Sequence, residues 1–181
     1  MRLRRSLVFF WAIVLIFTSV PFAMAQNASD TVPAKEGVLK SEEVGGKLFP
    51  DKVFFRGQSA SVQARNSGGV RYSDGFLVIG ALVDSSGYAS GLKEKYQGYL
   101  MTEVPIEIGG QTLKPGAYGF GFTEGSKFVV MDLGANDLLQ ISSARDTEMK
   151  RPVPLQFVAG SAPGTYRLYK GRDYVEFHRV K

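Results

Sequence analysis

Apolar and polar positions divide the chain into three regimes. Leu7 to Val20 (LVFFWAIVLIFTSV) is apolar except for Thr18 and Ser19. Gln26 to about Gly46 is polar and lacks a period, which predicts a flexible segment. From about residue 47, short β-type runs alternate with Gly, Pro, Asn and Asp punctuation through to the end of the sequence.

Within that last regime the pattern predicts strands at Lys52–Gln58 and Ser61–Arg65, a turn at Asn66-Ser67-Gly68-Gly69, and another at Ser73-Asp74-Gly75. Phe76–Val83 (FLVIGALV) is apolar at nearly every position, as in a central strand covered on both faces. Tyr88, Leu92 and Tyr96 recur every fourth residue and predict one short helix, capped by Ser90 and stopped by Gly98. Strand character resumes over Tyr99–Ile108, a Gly109-Gly110 turn follows, and Ala117–Phe122 comes after Pro115-Gly116. Phe128–Leu133, Leu138–Ile141, Leu155–Ala159, Thr165–Tyr169 and Tyr174–Val180 complete the strands, with a long surface loop at Ser142–Arg151. Many short strands at this spacing predict an all-β fold, a mostly antiparallel β-sandwich with a barrel as the alternative.

The apolar run has a different meaning. Arg2, Arg4 and Arg5 precede it, Pro21 breaks it, and Ala23-Met24-Ala25 supplies a small-x-small cleavage site before Gln26. This is the pattern of a secretory signal peptide over residues 1–25, which predicts a periplasmic or extracellular protein. Uncleaved, the run from Leu7 to Ala25 would be long enough to anchor the chain in a bilayer. Arg4-Arg5 before Ser6-Leu7-Val8 loosely matches a twin-arginine signal, and Asn27-Ala28-Ser29 matches a glycosylation sequon.

Removing 25 of the 181 residues leaves 156, the size of one domain, expected over residues 47–181 after a flexible 26–46. There are no cysteines, which excludes disulfides, thiol catalysis and a lipid anchor on cysteine. The formal charge of +5 shrinks once the signal is set aside: three of the 22 basic residues lie in it, leaving 19 against 17 acids. A net +2 gives no support to nucleic acid as a partner.

Ile106–Val130 (IEIGGQTLKPGAYGFGFTEGSKFVV), a strand, Gly turn, Leu-x-x-Gly-x-Tyr and second strand, resembles the core motif of an exported bacterial family, domain of unknown function 2911. The resemblance covers the C-terminal half of the mature chain, with the Thr165–His178 hairpin similar in character. It implies an exported β-sandwich and no particular activity. The family's upstream Trp-Arg-Thr-Gly-Ala-Asn-like stretch has no counterpart here, since the only tryptophan is Trp11 in the signal, so no site residue is carried over.

Candidate chemistry is sparse. His178 is the only histidine, and a hydrolase would have to use it, but Gly-x-Ser-x-Gly is absent. One His and no Cys exclude a typical zinc site, and the Asp132-Asn136-Asp137 and Asp84-Ser86 groups lack calcium-loop spacing. The basic tip of Arg167, Lys170, Arg172 and Arg179, with Tyr169 and Tyr174, suits a charged hairpin guarding a sheet edge. Arginines and amides on a sheet face can grip carboxylates, phosphates or sugar hydroxyls, and Arg56, Gln58, Gln63, Arg65 and Arg71 are the candidates. Gly119 and Gly121 leave one face of their strand without side chains, room for a small ligand or for tight packing. The expectation is a non-enzymatic exported protein, with no cofactor or metal, that binds an envelope protein, a glycan or a small molecule. A His178 hydrolase and a small-ligand carrier are the alternatives.

Overall fold

The structure is a computed structural model that describes residues 35–180. The signal peptide, its cleavage site and the sequon lie outside the described residues. In chain order the elements are β1 (Gly37–Leu39), α1 (Ser41–Val44), β2 (Lys52–Phe55), β3 (Gln58–Arg71), β4 (Leu77–Val83), α2 (Ser90–Lys95) and β5 (Gly98–Thr102). Then come β6 (Ile106–Ile108), β7 (Gln111–Leu113), β8 (Gly116–Thr123), β9 (Lys127–Met131), β10 (Asp137–Ser142), β11 (Ala144–Arg145), β12 (Gln156–Ala159), β13 (Thr165–Lys170) and β14 (Asp173–Arg179).

They form an antiparallel β-sandwich of two sheets, not a closed barrel. The eight-stranded sheet runs β1-β3-β4-β5-β8-β9-β10, with β2 attached to β3. The six-stranded sheet runs β12-β13-β14-β6-β7, with β11 on β14. Between them lies one core, in which Val70, Val78, Leu100, Phe120, Phe128 and Val130 meet Ile106, Ile108, Leu155, Phe157, Leu168, Val175 and Phe177.

The larger sheet has a second buried face. Ile79, Ala81, Tyr99, Val129 and Met131 pack under Val44, Phe49, Val53, Phe55, Tyr88 and Tyr96, which come from α1, the β2–β3 hairpin and the flanks of α2. This outer layer explains the unbroken apolar run of β4, which is buried from Val78 to Val83. Each large apolar side chain so buried stabilises the fold by about 1.5–3 kcal/mol.

Several expected boundaries move. Lys52–Gln58 is not one strand: Arg56 and Gly57 form a two-residue hairpin turn, both at positive φ (48° and 74°), as a type I′ turn requires. Asn66-Ser67-Gly68-Gly69 is not a turn either, because β3 runs straight through it. Gly68 and Gly80 are cross-strand partners, and the Phe157 ring lies on both; a Cβ would stand 3.2 Å and 3.1 Å from it respectively. These glycines serve a close approach rather than a reversal. Tyr99–Ile108 is two strands in different sheets, since the chain crosses over at Val104-Pro105.

The segment expected to be flexible up to Gly46 contains β1, which pairs with β3, and α1, whose Val44 is fully buried. The expected helix shortens to Ser90–Lys95; Ala89 is the N-cap in place of Ser90, and Tyr96 is the C-cap. Tyr88 and Tyr96 do share its buried side, in edge contact at 5.1 Å.

A cleft between the sheet edges

The predicted polar row does not assemble. Arg56 sits at the β2–β3 turn, where its N–H donates to Leu133 O at 2.8 Å. Gln58 begins β3, and its carbonyl accepts the Tyr88 hydroxyl at 3.1 Å. Arg71 lies at the far end of β3, paired with Gly37 on one side and Leu77 on the other. Gln63 is held locally: its amide donates to Val83 O at 3.2 Å and its carbonyl accepts from Asn66 at 2.8 Å. Of these five residues Arg65 lines the cleft described below.

The glycine face is filled. A Cβ on Gly119 would stand 2.5 Å from the Phe55 ring and 3.0 Å from that of Tyr96, and one on Gly121 would stand 2.2 Å from the Lys95 carbonyl oxygen. The glycines admit the Phe55–Tyr96 stack and the end of α2, so no ligand space remains there.

The other candidates are also occupied or isolated. Asp132 Oδ1 accepts from the main chain of Gly134 and Asn136, both at 2.9 Å, which closes the β9–β10 loop. Those bonds hold its carboxyl below the usual range, the Asn136 side chain contributing most. Asp137 pairs with Lys95 at 2.6 Å. His178 is exposed on β14, opposite Glu107 and Thr165, and among the described residues no hydrogen bond joins it to a hydroxyl or an acid. The basic tip is partly self-satisfied: Arg167 bonds Glu176 at 3.0 Å and lies over Tyr174, while Arg172 donates to Met149 O at 3.1 Å and 3.0 Å.

The geometry instead converges on the open side of the sandwich, where β1 and β3 of one sheet face β12 of the other. A cleft of about 500 Å³ lies there, lined by Val38 to Glu42, Arg65 to Gly68 and Val153 to Val158. Arg65 and Lys40 are exposed and, among the described residues, form no ion pair, while Glu42 is the only acid in the lining. Asn66 and Gln156 add amides and Ser41 a hydroxyl; Val38, Val153 and Pro154 supply an apolar floor. Such a lining can hold a carboxylate or phosphate against two cations while packing an apolar stem.

Sequence reasoning found Arg65 and missed the rest. The Asn66–Gly69 turn signal hid one wall. For the other, Pro152-Val153-Pro154 was an available sign, since proline cannot join a ladder and marks an edge. A second depression, about 460 Å³ and mostly apolar, lies where Leu48, Leu77, Met101 and Ala117 leave the larger sheet's outer face uncovered.

Compared with protein-family models, curated proteins and solved structures, the chain matches none of them.

Proposed function

We propose that the protein is an exported, non-enzymatic β-sandwich that binds a component of the cell envelope, in the periplasm or outside the cell. The observation that carries this reading is the pair of cations, Arg65 and Lys40, without an ion-pair partner among the described residues, in a cleft whose other wall is a sheet edge. The signal-type N-terminus supports export. The isolation of His178 favours binding over hydrolysis.

The test uses protein secreted by a bacterial host. Its mass should correspond to a start at Gln26, and it should co-sediment with envelope fragments. Replacing Lys40 and Arg65 together by alanine should weaken that association at least about tenfold, the loss of two charge-assisted contacts. Equal association of wild type and double variant would overturn the cleft as the binding site. Retention in the cytoplasm with Met1 intact would overturn export.

A further inference from the structure

The β12 wall of the cleft presents main chain that, among the described residues, has no partner. Along β3, Lys52 to Phe55 pair with Ser61 back to Gln58, β4 pairs at Val62 and again from Ser67, and β1 pairs from Gly69. Gln63 to Asn66 falls between these ladders as a bulge that pairs with no described strand, and its Ala64 carbonyl accepts the Ser67 hydroxyl at 2.6 Å. Across the cleft, Gly160 N–H donates to Thr165 O at 2.8 Å, which fixes the alternation of the β12–β13 ladder. By that alternation the N–H and C=O of Phe157, and of Leu155 before it, point away from β13, and among the described residues β12 has no second neighbour. Leu155 is buried, at 5% exposure, yet among the described residues neither its N–H nor its C=O has a hydrogen-bond partner. Buried main-chain groups are almost always paired, so the open edge at Leu155, facing two cations across the cleft, points to a ligand that brings its own main chain.

We infer that the ligand of this cleft is a polypeptide: an extended segment with acidic side chains, its main chain paired with the β12 edge at Leu155 and its carboxylates against Arg65 and Lys40. The inference rests on the cleft being the binding site proposed above. Strand addition to an exposed edge supplies affinity through main-chain bonds, and the flanking charges supply selectivity. Gly68 closes the edge at Phe157, so the segment runs past Leu155 toward Val153. Glu42, at the α1 end, disfavours an acidic residue there and so sets the register. A saccharide fits less well, because the one aromatic ring in the lining, Phe157, is buried under Gly68 and Gly80 and offers no stacking platform.

The experiment selects binders from a displayed library of random nonapeptides, using the full secreted chain. Selected peptides should be rich in acidic and β-branched residues. Binding should fall at least tenfold with Arg65→Ala. It should also fall when alternate peptide nitrogens are methylated, and bound peptide should slow amide exchange at Leu155. An oligogalacturonate trimer serves as the competing probe. Arg65-dependent binding of that trimer with no peptide enriched would overturn the polypeptide ligand and leave the cleft standing. Selected peptides indifferent to N-methylation would overturn strand addition. If neither peptide nor trimer binds, and Arg65→Ala leaves envelope association unchanged, the cleft itself fails.

Discussion

Phe55 and Tyr96 stack face to face, ring centroids 3.9 Å apart and planes within 10°, directly over Gly119. The stack joins the β2–β3 hairpin and the end of α2 to the middle of the larger sheet. Gly119→Leu should therefore displace both rings and lower stability by roughly 1–3 kcal/mol or more, the range for overpacking a filled core. Thermal unfolding checks this. An unchanged melting temperature would mean that the rings do not fill the face of Gly119.

Tyr88 fixes the same layer with its hydroxyl, which donates to Phe55 O at 3.0 Å and Gln58 O at 3.1 Å. Tyr88→Phe should cost about 1–2 kcal/mol by leaving those acceptors short of a donor. Denaturant titration should show a lower midpoint at an unchanged slope.

Arg56 holds a left-handed backbone at φ 48° and lies outside the cleft. Arg56→Asn should be neutral or stabilise by up to about 1 kcal/mol, because asparagine tolerates that conformation. Envelope association should not change. A loss of binding in this variant would return Arg56 to the ligand site.

Asp74 and Arg179 meet at 2.5 Å at one end of the sandwich, and the guanidinium also lies 5.3 Å from the Tyr72 ring and 5.7 Å from that of Phe76. The bond from Arg179 is the main reason the Asp74 carboxyl stays below its ordinary range. A lowered folded-state pKa gives stability that is complete above the unfolded value of about 3.9 and is lost as pH falls through the folded value. Denaturation midpoints between pH 7 and pH 3 should therefore fall less steeply for Asp74→Asn than for wild type. Identical slopes would show that the pair contributes nothing to acid sensitivity.

What the residues revealed in advance follows from how local each signal is. The apolar run of β4 is legible because both its faces are buried, and the Gly109-Gly110 turn because positive φ is a property of two adjacent residues. Gly68 is different. Its reason is Phe157, far along the chain and in the other sheet, and without that ring an Asn-Ser-Gly-Gly run has the composition of a turn. Arg65 was visible as a cation on a strand. Its partners in the cleft, Lys40 and Leu155, meet it only through the closing of two sheets.

The crossing at Val104-Pro105 has a consequence for the order of assembly. The chain leaves the larger sheet there, and β6, whose local partner is β7, finds its other neighbour only at Phe177 to Arg179, in the last strand. The smaller sheet's local pieces, the β6–β7 hairpin and the C-terminal β12–β13–β14 hairpins, join only through that last strand, and contacts so distant in sequence form slowly. Until the final strand is in place, Ile106 and Ile108 lack the β14 ladder that holds them against Phe120 and Phe128. Closure of the sandwich therefore waits on β14: the larger sheet is complete in sequence by Ser142, and the last seven-residue strand is what seals the core over it.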